Sequence, residues 1–171
     1  MKKYLVIDVD GTLTDSSIYY DERGNEIKKF SSRDAAGIFA ARASGIDVLV
    51  LTGRESGATQ RRLNELGIEL IYQKVANKRS WLQKWMKENG VMPEEMMYIG
   101  DDLNDLFSMK LCSYIGCPAD ACTEIKEIAD YISPYKGGNG AVRDFVEHYL
   151  RKQGDWDRVI SRIYNQEDYL G

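Results

Sequence analysis

The chain has 171 residues, 43% of them hydrophobic and 29% charged, with only 3 prolines. That is material for one folded core, and it excludes the disordered, collagen-like and low-complexity classes. Acidic residues outnumber basic ones 27 to 23, a net charge of −4 that argues against a nucleic-acid partner. The apolar run after Met1-Lys2-Lys3 is too short for a signal peptide or a membrane span, so a cytoplasmic protein without a membrane partner is expected.

Residues 4–9 form a short apolar run of the kind found in buried parallel strands. Residues 17–30 change the rhythm. There Ile18-Tyr19-Tyr20 and Glu26-Ile27-Lys28-Lys29-Phe30 flank the turn-forming Asp21-Glu22-Arg23-Gly24-Asn25, which predicts a projecting β-hairpin. Helical patterns over 35–44, 57–66, 78–89, 102–110 and 123–129 then alternate with strand-like runs at 46–51, 69–72, 96–99 and 112–115. Gly45, Gly67 and Gly90 stand where helices want a left-handed C-terminal cap. Residues 141–150 read as a last helix, and 155–164 as a short helix or arm. The alternation predicts an α/β fold, a Rossmann-like parallel sheet flanked by helices, in a single domain over 1–171. Cys112, Cys117 and Cys122, with His148 as the sole histidine, fit buried free thiols better than a zinc site or a disulfide framework. Trp81 and Trp85 lie one helical turn apart and read as packing residues.

In open parallel sheets the ligand crevice lies at the carboxyl ends of the strands. Those ends carry Asp8-Val9-Asp10-Gly11-Thr12-Leu13-Thr14-Asp15, then Thr52-Gly53-Arg54, then Asn77-Lys78, then Gly100-Asp101-Asp102-Leu103-Asn104-Asp105. Carboxylates gathered this closely repel one another unless a cation sits among them, and hard oxygen ligands favour Mg²⁺. A lysine, a hydroxyl and free backbone N–H groups beside such a metal suit a phosphate.

The four-part set Asp-x-Asp-Gly-Thr, Thr-Gly, Lys and Gly-Asp-Asp-x-Asn-Asp resembles the haloacid dehalogenase superfamily of phosphohydrolases. The resemblance implies that Asp8 is the nucleophile, forming an aspartyl-phosphate, and that Asp10 is the acid and then the base. It gives Mg²⁺ to the side chains of Asp8 and Asp101 and the carbonyl of Asp10. Thr52 and Lys78 would hold phosphoryl oxygens, with Gly53, Asn104 and Asp105 in support.

The spans from Asp8 to Phe30 and from Phe30 to Thr52 are too short for a cap domain. Residues 4–150 resemble the capless phosphatases of 3-deoxy-D-manno-octulosonate 8-phosphate (KDO 8-phosphate), which supply KDO for lipopolysaccharide. The carrying stretches include Ser-Ser-Arg-Asp, Thr-Gly-Arg-Glu-Ser, Leu-Gly-Ile and Gly-Gly-Asn-Gly-Ala-Val-Arg. Substrate contacts would then fall to Arg33, Asp34, Arg54, Arg62 and Lys78, arginines being suited to a sugar-acid carboxylate. The family's homotetramers place one subunit's hairpin beside the next subunit's site, and the tail within 141–171 could close it. Ala35, Phe39 and Lys74 depart from the pattern. Phe39 and the acidic-aromatic tail are similar to a sibling branch that acts on the nine-carbon KDN 9-phosphate or N-acylneuraminate (sialic acid) 9-phosphate. Two other readings stand beside these. A receiver domain shares the acids and lysine but lacks an acid at the place of Asp10, and a non-catalytic tetramerising module would not need Asp8, Asp10, Lys78 and Asp101 intact.

Overall fold

The structure is a computed structural model and describes residues 2–165. Strand β1 (Tyr4–Ile7) lies in the middle of a six-stranded sheet. Its partners are β4 (Asp47–Leu51) on one side and β6 (Met96–Ile99) on the other, both parallel to it. Two short strands, β2 (Tyr19–Tyr20) and β3 (Glu26–Ile27), form the expected antiparallel hairpin outside that sheet. With β5 (Leu70–Tyr72), β7 (Tyr114–Cys117) and β8 (Tyr131–Ile132), the main sheet runs β5-β4-β1-β6-β7-β8. The chain therefore travels from β1 to one edge and returns to β1's other side. That reversal opens a crevice at the carboxyl end of β1.

Helices α1 (Ser32–Ala43), α2 (Gly57–Glu65), α3 (Lys78–Asn89), α4 (Leu103–Met109), α5 (Thr123–Ile128), α6 (Ala141–Lys152) and α7 (Trp156–Tyr164) cover the sheet. Alternation along β1 divides the core. Leu5 and Ile7 pack with Ile38 of α1, Leu63 of α2, Phe145 of α6 and Val159 of α7. Val6 faces the other way, with Leu82 and Trp85 of α3, Met109 of α4 and Ile125 of α5. Trp85 meets Tyr4 edge-on at 5.2 Å, and Trp81 lies against Tyr72 at 4.2 Å, so both tryptophans pack as expected. Gly45, Gly67 and Gly90 all have positive φ just past a helix. Among the described residues no helix is long and apolar enough to cross a membrane.

Three readings shift. The first strand stops at Ile7, not at residue 9, because the chain turns away through Val9–Leu13. The strand expected at 112–115 is Tyr114–Cys117; Leu111 and Cys112 leave α4 through backbone turns and are apolar because they face the core. β8 is unanticipated, since two residues cannot show a period. Cys112 and Cys117 are buried, Cys122 only half-buried, and all three are free. Residues 166–171 of the tail lie outside the described residues.

Candidate active site

Asp8 follows β1 directly, and its amide donates to the Ile99 carbonyl of β6 at 3.1 Å, fixing it at the mouth of the crevice. The next residues form one wide turn closed by the Thr14 amide on the Val9 carbonyl, 3.0 Å. Gly11 takes φ +98° in this turn, and a Cβ there would come within 2.0 Å of Asp101 Oδ2. Only glycine allows the turn both that conformation and that approach. Thr12 Oγ1 donates to Asp101 Oδ1 at 3.2 Å across the crevice.

Lys78 arrives from the other side as the first residue of α3, whose Asn77 cap accepts the Ser80 amide at 2.9 Å. A cation at a helix N-terminus works against the helix dipole. Here two carboxylates outweigh that cost: Lys78 Nζ donates to Asp8 Oδ1 at 2.5 Å and to Asp105 Oδ1 at 2.7 Å. Asp105 sits in the first turn of α4, which Asp102 caps through the Leu103 amide at 2.8 Å. The hydroxyl of buried Tyr98 also donates to Asp105 Oδ1, at 2.7 Å.

Oxygens of Asp8, Asp101 and Asp105 come within 4.8 Å of one another, and the Lys78 ammonium bridges Asp8 and Asp105. Burial, then the charge of Asp105, raise the Asp8 carboxyl well above its ordinary value even with Lys78 opposing. Burial followed by Asp105 lifts Asp101 to about 7. For Lys78, burial pulls downward, but the charges of Asp8 and Asp105 prevail and hold it above its usual range. Negative charge is thus in excess, and the donors are all oxygen. This is the environment a hard divalent cation relieves, so the residues fit Mg²⁺.

The crevice is an open cleft of about 310 Å³ lined by Asp8, Asp10, Thr52, Gly53, Arg54 and Asn104 among others. Arg54 enters it half-exposed, its Nη2 2.7 Å from Glu26 Oε2 and 3.4 Å from the Tyr20 hydroxyl on the hairpin. Asp10 Oδ1 is 2.5 Å from Lys28 Nζ, which leaves β3 on the same hairpin. The structure therefore gathers Asp8, Asp10, Thr52, Gly53, Arg54, Lys78, Asp101, Asn104 and Asp105.

Arg33, Asp34 and Arg62 are not in that cleft. Arg33 lines a separate hollow of about 350 Å³ beside Arg143, a larger space that holds none of the clustered acids. Arg62 pairs with Glu65 at 3.4 Å along α2. Asp34, expected at the substrate, is 2% exposed and caps α6, its Oδ1 accepting the Arg143 amide at 3.0 Å. Burial lifts its carboxyl to about 6, against the opposing pull of the Arg143 amide and the neighbouring amides of Gly140 and Val142.

Sequence reasoning did not select Tyr98, Lys28 or Glu26. Tyr98 is one aromatic among apolar strand residues and carries no signal. The hairpin was legible, however, and a two-residue period puts Glu26 and Lys28 on one face.

The haloacid dehalogenase-like hydrolase family matches residues 68–145. The KDO 8-phosphate phosphatase of Haemophilus influenzae is 38% identical over 152 residues, 89% of this chain and 84% of its own length. That of Escherichia coli K12 is 37% identical over 157 residues, 92% and 84%. Among solved structures, the Moraxella catarrhalis KDO 8-phosphate phosphatase with magnesium, phosphate and KDO superposes with a TM-score of 0.89 at 36% identity. That match covers 95% of this chain and 93% of the other. The cobalt-bound Haemophilus influenzae phosphatase gives 0.85 at 37%, covering 91% of each. At this identity over most of both chains, the chain belongs to the KDO 8-phosphate phosphatase family of haloacid dehalogenase-like hydrolases.

Proposed function

We propose that this chain is a Mg²⁺-dependent phosphatase that hydrolyses KDO 8-phosphate to KDO and phosphate. The observation that carries this is the buried Asp8–Lys78–Asp105 cluster, with Asp101 beside it and Asp10 in the same open cleft. Asp8 and Asp101 side chains and the Asp10 carbonyl would hold the magnesium. Bound there, the ion supplies positive charge that offsets the repulsion between a carboxylate and a phosphate dianion.

The residues then divide the work. An Asp8 oxygen attacks phosphorus as the bond from phosphorus to the sugar oxygen breaks, leaving an aspartyl-phosphate. Asp10 gives its proton to the departing sugar oxygen. As a carboxylate it next takes a proton from water, whose oxygen attacks phosphorus, releases phosphate and restores Asp8. Lys78, held by Asp105, and Thr52, beside Gly53, grip phosphoryl oxygens; Asn104 supports the rim. Arg54 is the best-placed partner for the sugar-acid carboxylate. Arg33 and Arg62 would touch only a substrate reaching beyond the cleft, and Asp34 is assigned to capping.

The chain acts as one phosphatase domain over 1–171, in the cytoplasm, where free thiols persist. It works as a homotetramer, a reading supported by the exposed outer face of the hairpin.

Phosphate release with Mg²⁺ from KDO 8-phosphate, KDN 9-phosphate and N-acylneuraminate 9-phosphate, side by side, tests the reading. Preference for the eight-carbon ester is expected, with Asp8→Asn inactive and Asp10→Asn slower by about 10²–10⁴-fold. A preference for a nine-carbon ester would overturn the substrate. Phosphate release by Asp8→Asn would overturn the mechanism.

A further inference from the structure

The hairpin does more than project. Tyr20 and Glu26 stand opposite each other on one of its faces, and Lys28 extends that face by the strand period. This is the face turned to the chain's own cleft, where Glu26 and Tyr20 meet Arg54 and Lys28 meets Asp10. The Lys28 side chain is 1% exposed, and two acids surround its ammonium: Asp10 Oδ1 at 2.5 Å and Glu26 Oε1 at 3.1 Å. A buried ammonium is retained only where its charge is matched, so Lys28 is committed to these partners.

Asp10 is differently placed. It lies in the wide turn after β1 with its side chain 21% exposed, and the turn alone does not hold its carboxyl. A general acid must be within hydrogen-bond reach of the leaving oxygen, so freedom of that carboxyl costs rate. Lys28 holds Oδ1 and leaves Oδ2 to carry the proton, with Glu26 remaining as the counter-charge of Lys28 when Asp10 is neutral.

Resting on the phosphatase reading above, we propose that Lys28 is a positioning residue for Asp10. It is carried by the hairpin of the same chain, and Glu26 ties it to Arg54, so that one element sets both the acid and the group that meets the sugar acid. The hairpin is then a working part of its own subunit's site, whatever it does for a neighbour.

Lys28→Met keeps the length of the side chain and removes its charge; Lys28→Arg keeps the charge. Each is assayed with Mg²⁺ on KDO 8-phosphate, glycerol phosphate and p-nitrophenyl phosphate, with thermal melting alongside. Leaving alkoxides need a proton and nitrophenolate does not. Lys28→Met is therefore expected to lower kcat on the two alkyl esters by about 10- to 100-fold with KM nearly unchanged, and on the nitrophenyl ester by less than about threefold. Lys28→Arg is expected to recover most of the loss. An equal fall on all three esters, a rise in KM alone, or no change would overturn the proposal: these are the signatures of a folding role, a substrate contact and no role. If the wild-type chain hydrolyses glycerol and nitrophenyl phosphates but not the octulosonate ester, the substrate reading falls. Lys28 is then judged on the remaining pair. No turnover of any ester overturns both.

Discussion

Lys74 holds φ at 61°, in the left-handed region that glycine enters without strain. For a side chain with a Cβ that conformation costs about 1–2 kcal/mol. Its ion pair with Glu55, 3.0 Å and highly exposed at both ends, returns little. Glycine would relieve the strain but loosen the unfolded chain by about 0.5–1 kcal/mol. Lys74→Gly is therefore expected to stabilise by about 0.5–1 kcal/mol, a rise of about 1–4 °C in melting temperature. A drop in melting temperature would mean that the Glu55 pair, not the backbone, governs the position. At this scale the acids of the cleft were legible because Asp8 and Asp101 come at the ends of apolar strands, with Asp10 and Asp105 two and four residues further on. The capping role of Asp34 was not legible, for the opposite reason. An aspartate that caps a distant helix and an aspartate that meets a substrate look identical in one dimension, and α6 lies more than a hundred residues along the chain.

Between elements, α1 and α6 cross so closely that a Cβ on Gly37 would stand 2.5 Å from the Arg143 Cα. Asp34 sits at this crossing with Oδ1 on the Arg143 amide and Oδ2 buried without a partner among the described residues. Its carboxyl, lifted to about 6 by burial, ionises near 3.9 once the chain unfolds. The folded protein thus binds the proton more tightly than the unfolded one, and this group's contribution to stability falls as pH rises from about 4 to about 6. Asn cannot ionise but keeps an acceptor for the cap. The stability of the wild-type chain relative to Asp34→Asn is expected to decline across that window by about 2–3 kcal/mol, measured by denaturant unfolding at each pH. A constant difference would show that the helix N-terminus compensates fully for burial. The sheet that frames this crossing was readable from apolar runs four to six residues long. β8, the wide turn after β1 and the partner of each helix were not, because they are set by contacts between segments rather than by local periodicity.

For the whole molecule the open question is what covers the other face of the hairpin. Cross-strand neighbours Tyr19 and Ile27 are 53% and 52% exposed, and among the described residues β2 and β3 pair only with each other. A lone two-stranded hairpin is marginal in water, and two more strands or a packed surface would stabilise it. The inner face already has a use, since Glu26, Lys28 and Tyr20 are engaged at the cleft. The outer apolar pair is therefore the surface available for a second copy in the proposed homotetramer, without disturbing the site. Sedimentation of the wild-type chain is expected to give about four times the mass of the 19.5 kDa subunit. Ile27→Asp, which places a charge in that contact, is expected to dissociate it. Because Lys28 and Glu26 reach their partners within one chain, the dissociated variant should still release phosphate from p-nitrophenyl phosphate. A wild-type chain that sediments as a monomer would refute the tetramer. A dissociated Ile27→Asp chain with no activity would instead show that the neighbour's hairpin completes the site.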